Sequence, residues 1–228
     1  MKKFAFCVGL LLCWLRPLPA QVTVEVRLDQ DQFLPNEALP AAVRITNRSG
    51  QTLHLGAEED WLTLSFESKE GLVVRKNGEA PVAGEFALES SKTATKHMDL
   101  APYFALSQQG RYAIVATVKI KDWDHQIVSV PKPFYIMEGS RLWEQAFGVP
   151  KLAGVSNTPP EVRKYILQQA NYLKGPLRLY FRLTDDSGAR TFRVFPIGQM
   201  VSFSRPDPQV DKLSNLHVLY QSGPQSYS

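Results

Sequence analysis

Cysteine is nearly absent from this sequence. The 228-residue chain has two, Cys7 and Cys13, both close to its start. Beyond them a cysteine nucleophile, a thiolate metal site and a disulfide are all excluded, so the fold must hold by packing. Charge of one sign is scarce too. The formal net charge is +4. Removing Lys2, Lys3 and Arg16, which lie in a segment read below as cleavable, leaves about +1. A nearly neutral chain lacks the basic footprint that binds phosphate backbones, which excludes nucleic acid as a partner. No apolar run reaches the roughly 20 residues of a spanning helix, so no membrane span is expected in the mature chain.

Motifs of catalysis are missing as well. HExxH, GxSxG, a phosphate-binding P-loop and GxGxxG do not occur. His54, His97, His125 and His217 form no pair at metal-ligand spacing. Asp29 and Asp31 resemble the start of a calcium loop but lack its glycine and distal glutamate. Glu58, Glu59 and Asp60 read as a wet loop, because adjacent acids do not make a positioned acid/base pair. No catalytic residue, cofactor-binding residue or metal ligand is assigned, no cofactor is expected, and the chain is read as not an enzyme. Catalytic triads assemble in space, so a secreted hydrolase stays open as an alternative.

What is present starts with "MKKFAFCVGLLLCWLRPLPAQ". Two lysines precede an apolar run from Phe4 to Leu15, followed by proline and a small residue. Residues 1–20 therefore read as a secretory signal peptide cleaved after Ala20, which predicts a secreted or periplasmic protein. The short positive stretch points to bacterial export.

Residues 21–138 repeat a strand pattern. "VTVEVRL" alternates Val22, Val24, Val26 and Leu28 against Thr23, Glu25 and Arg27, which predicts one buried and one wet face. "AAVRITN", "TLHL", "WLTLSFES", "LVVRK", "TKHMDL", "GRYAIVATVKI" and "HQIVSVPKPFYI" follow as further candidate strands between turn signals. Short strands without a long amphipathic helix predict an antiparallel sandwich. "FLPNEALPAAVRITNRSGQTLHL" carries an acid after a proline turn, then a strand ending in Asn-x-Ser-Gly. "FALSQQGRYAIVATV" places Gly110 and Tyr112 at a corner. These segments resemble bacterial immunoglobulin-like (Ig-like) and macroglobulin-type β-sandwich domains, and Tyr112 resembles the tyrosine corner of that fold. The resemblance implies an architecture and little about function, because the scaffold serves inhibitors, adhesins, chaperones and linkers alike.

Residues 139–158 break the rhythm with Gly139, Gly148, Pro150 and Gly154, and read as a linker containing one short helical turn capped by Ser140. Residues 159–228 read as a smaller β-rich hairpin domain. Residues 159–174 are open to two readings. Thr158, Pro159 and Glu161 fit a helix start, but the strands that follow favour a strand. "LRLYFRL", "TDDSGA" and "RTFRVFPI" form a hairpin. The last strand, Leu216–Tyr220, is apolar on both faces and reads as interior to a sheet. Ser226–Ser228 is predicted to be poorly paired, as in a truncated or open-edged domain. This half resembles exported bacterial proteins that carry a strand-rich tail after an Ig-like domain.

The fold class predicted is therefore all-β, an Ig-like antiparallel sandwich followed by the smaller β-rich domain. The function predicted is a non-catalytic binding or scaffold module of the bacterial cell envelope, with a protein or glycan partner. Asp122, Trp123, Asp124 and His125 form the candidate binding loop, at the tip between two long strands. Trp143 is a candidate aromatic contact. Tyr165, Tyr172, Tyr180, Phe181, Phe192, Phe195, Phe203, Tyr220 and Tyr227 crowd the second region, as core or as a stacking surface. A macroglobulin-like protease inhibitor is the other alternative, and it needs Val74–Lys96 to be an extended exposed loop.

Overall fold

A computed structural model describes residues 22–69, 71, 73–149, 161–171 and 175–228, without the side chain of Asp122. The predicted signal peptide, residues 150–160 of the predicted linker, and Tyr172 lie outside the described residues. Among the described residues there is no α-helix.

The first region spans β1 to β10. Strand β1 (Val22–Leu28) pairs antiparallel with β3 (Pro40–Asn47), which pairs with β7 (Thr93–Asp99). The alternation of β1 and β3 buries Val22, Val24, Val26, Ala41, Val43 and Ile45 and leaves the intervening polar residues wet. A second sheet is built around β8 (Gly110–Ile120). It pairs with β5 (Leu62–Ser68), with β10 (Lys132–Ile136) and, at its end, with β9 (His125–Val128). Strand β2 (Gln32–Phe33) joins β10 in parallel, Gln32 opposite Tyr135 and Phe33 opposite Ile136. Both sheets feed one hydrophobic cluster containing Val43, Ile45, Ile114, Ala116, Val118 and Phe134. Each large side chain buried there contributes about 1.5–3 kcal/mol.

Two polar devices close this region. Tyr112 is buried, and its Oη donates to the Gln108 carbonyl at 2.8 Å, four residues back. Asn47 is fully buried at the end of β3. Its Nδ2 donates to the carbonyls of Gln51 (2.7 Å) and Leu88 (2.8 Å), while Oδ1 accepts from the Ser49 amide (2.9 Å) and hydroxyl (2.7 Å). The "NRSGQ" turn thus pins β4 (Leu53–Leu55) and its partner β6 (Phe86–Leu88) to the body.

The predicted strand "LVVRK" does not form. Only Lys76 makes an isolated bridge, to Phe104, and Val73 is 92% exposed. Leu72 lies outside the described residues, and Val74 packs against the first core without joining a strand.

The second region spans β11 to β18. Here the linker reading is corrected. Ser140–Gly148 is strand β11, paired with β12 (Val162–Ala170), and Ser140 caps no helical turn. The ambiguity over residues 159–174 resolves to the strand within 162–170. Strands β13 (Arg178–Asp185) and β14 (Thr191–Gln199) form the predicted hairpin and complete a four-stranded antiparallel sheet in chain order. Strand β15 (Asp207–Val210) pairs with β16 (Leu216–Leu219). Here too the prediction needs correcting. Leu216 and Val218 pack inward, but Leu219 is exposed, so this strand has one covered face. Ser226–Tyr227 (β18) pairs with Gln221–Gly223 (β17), and Ser228 and Tyr220 exchange two backbone bonds of 2.9 and 3.0 Å. The predicted lack of pairing at Ser226–Ser228 is therefore wrong, although Ser226 and Tyr227 stay solvent-exposed.

Candidate functional site

The predicted binding loop lies at a strand-to-strand tip, where the sequence placed it. Lys121–Trp123 make one 3₁₀ turn, and Asp124 takes a left-handed conformation (φ 45°, ψ 42°) whose amide returns to the Lys121 carbonyl at 3.1 Å. That reversal points neighbouring side chains apart. Trp123 packs against the first core, while Asp124 and His125 face solvent. Beside the tip, Glu58 holds Lys119 at 2.9 Å and Lys121 at 3.3 Å. Its bonds to both lysines keep its carboxyl below the usual range. Among the described residues no group of three His, Asp or Glu side chains could hold a metal ion.

A more developed surface occupies the β11–β14 sheet. Its register places Trp143, Leu167, Phe181 and Phe195 in a line across four strands. Period two brings Phe147 and Tyr165 to the same face, one step along. Phe147 stacks on Tyr165 with centroids 3.9 Å apart. Tyr165 meets Phe181 at 5.5 Å, and Phe181 meets Phe195 at 5.0 Å. The row therefore takes one ring from each strand. Phe195 is 38% exposed, with the Arg193 guanidinium 5.4 Å from its ring. Phe192, displaced at a register shift in β14, lies under Arg163 at 4.4 Å and Arg190 at 4.7 Å.

Part of this face is covered from within. Leu216, Val218 and Tyr220 pack with Leu167, Leu179 and Met200. The Tyr165 hydroxyl donates to the Ser214 carbonyl at 2.8 Å, and the Ser214 hydroxyl donates to that of Gly148 at 3.2 Å. Burial raises the Tyr165 hydroxyl above its ordinary pKa. Trp143 is half-buried against the same cluster. Of the other aromatics, Tyr180 and Tyr220 are core, and Phe203 and Tyr227 are exposed outside the row.

Among the described residues, His217 Nε2 lies 3.2 Å from Asp211 Oδ2. The same carboxylate accepts from the amides of Leu213 and Asn215 and from Asn215 Nδ2. These bonds, the side chain of Asn215 foremost, hold it well below the usual carboxylate range. It stabilises the β15–β16 turn. The segment Val74–Lys96, which an inhibitor would present, is tied down along its length. Arg75 and Asn77 bond to the Tyr103–Ala105 backbone, and Trp61 Nε1 donates to the Val82 carbonyl at 2.8 Å.

One group that sequence reasoning did not single out as a site is Glu37, the acid of the "PNE" turn. It is only 6% exposed. It accepts from the Leu34 amide at 2.7 Å and from Gln30 Nε2 at 3.0 Å. Burial outweighs these bonds and raises its pKa to about 7.

No protein-family model matches the chain, and no curated protein matches it by sequence. Among solved structures, the sporulation control protein Spo0M of Bacillus subtilis is similar over 78% of this chain and 89% of its own, with 11% identity and a TM-score of 0.37. A likeness at that level carries no argument. Shown is an all-β chain of several small antiparallel sheets.

Proposed function

We propose that this chain is an exported, non-catalytic binding or scaffold module of the bacterial cell envelope, built on an Ig-like sandwich. It would engage a protein or glycan partner through the aromatic face of its second region. The observation that carries the binding reading is the ring row Phe147–Tyr165–Phe181–Phe195, open at Phe195 and flanked by arginines. Rings presented on a sheet bury large areas at low entropic cost and can stack on sugars or anchor a protein. The strand order β1-β3-β7 facing β2-β10-β8-β5 and the Tyr112 corner favour the Ig-like reading. The N-terminal segment favours export.

The test is capture from envelope extract by the mature chain, beside a variant carrying Phe195→Ser and Arg193→Ala. The expected result is a partner retained by the parent and lost by the variant, and confirmed with that partner purified. Equal capture by both would remove the aromatic face from the reading. Failure to capture anything, with turnover of a hydrolase substrate panel, would overturn the binding role itself.

A further inference from the structure

The two regions meet through a partly buried polar chain. Leu34 from the β2–β3 turn is buried in the second region with Ala170, Tyr180 and Val194. Its amide is held by the Glu37 carboxylate, whose other oxygen accepts from Gln30. Gln30 Oε1 in turn accepts from Arg178 Nη1 of β13 at 2.9 Å. Four residues further along β13, Arg182 Nη2 donates to the Pro35 carbonyl at 3.3 Å. Its Nε is buried without a hydrogen-bond partner among the described residues. The turn Gln30–Glu37 is thus clamped between its own sandwich and the four-stranded sheet.

We propose that the charge on Glu37 sets how tightly the β11–β14 sheet docks on the first region, so that the join loosens when this carboxyl loses its proton. The sign follows from linkage. Docking lays the second region over Leu34 and Pro35 of this turn, three and two residues from the carboxyl, and burial favours its neutral form. Separation would return it toward the ordinary 4.5, against about 7 in the docked state. The state that holds the proton more tightly gains at low pH. Docking is therefore favoured below about 4.5 and weakens as pH rises through about 7. That difference caps the change in the docking equilibrium at about 300-fold. The charged groups on the facing elements are Arg178 and Arg182 of β13, and Glu138 ahead of β11, which acts on Arg182. Arg178 favours the ionised form, so it opposes the proton.

The chain lends itself to a distance measurement, because its cysteines are confined to positions 7 and 13. Spin labels on Thr95→Cys and Ala146→Cys, both exposed, span the join in a chain carrying Cys7→Ser and Cys13→Ser. At pH 5 a single narrow distance is expected. By pH 8.5 a second, broader population should appear, with a midpoint near pH 7. Glu37→Gln should abolish the pH response. Arg178→Gln removes the cation that opposes protonation and should move the midpoint upward. An unchanged distribution from pH 5 to 8.5, or the same response in Glu37→Gln, would overturn the proposal. Should Glu37→Gln fail to fold, an unmoved midpoint in Arg178→Gln has the same force.

Discussion

Phe134 and Tyr180 are both fully buried, yet they sit in different kinds of core. Phe134 belongs to one continuous cluster fed by two sheets of the same region. Tyr180 belongs to a small cluster that includes Leu34 from the other region, with Met137 packed against it. The opposite face of its sheet is covered in part by the chain's own C-terminal segment, which leaves Phe195 exposed. The first region is self-sufficient, whereas the four-stranded sheet of the second takes its cover from the first region on one side and from β16 and Tyr220 on the other. A sheet of that kind depends on contacts that are few, and each counts for more.

Single substitutions can break or sharpen this contrast. Phe134→Ala should cost about 3–5 kcal/mol and lower the main thermal transition seen by calorimetry, because it hollows the shared core. Leu34→Ala should cost about 2–5 kcal/mol by area and cavity reasoning. Its effect should fall on the second region, separating a low-temperature transition from the main one. A single unsplit transition after Leu34→Ala would erase the distinction. Next comes pH. The native state keeps a proton on Glu37 that the unfolded chain releases, so this group's contribution is full below about 4.5 and gone above about 7. Denaturant titrations should show stability falling by at most about 3 kcal/mol across that window, and Glu37→Gln should flatten it. Smallest is Arg190→Ala. Stacking on Phe192 at an exposed site is worth below about 1 kcal/mol, so the melting temperature should barely move.

The sequence announced what is local. The alternation of β1 and the turn of the β13–β14 hairpin depend on residues a few positions apart, and both were legible. Strand β11 was not. Gly139 and Gly148 punctuate it, and only pairing with β12, across residues 150–160, makes it a strand. The aromatic crowd was visible as composition. Register alone divides it into core (Tyr180, Tyr220) and face (Phe181, Phe195). For Glu37 the acid of the turn was visible, but the charge of Arg178 that acts on it lies on β13, some 140 positions away.

The parallel pairing of β2 with β10 has a consequence in time. Gln32 and Phe33 find their partners about a hundred residues downstream, and Leu34 finds Val194 further still. Loop-closure entropy makes such contacts late, whatever their final strength. The first core cannot close until β10 has been made, and the small cluster around Leu34 must wait for β14. The first region can therefore complete before the second, and Leu34 waits longest for its neighbours.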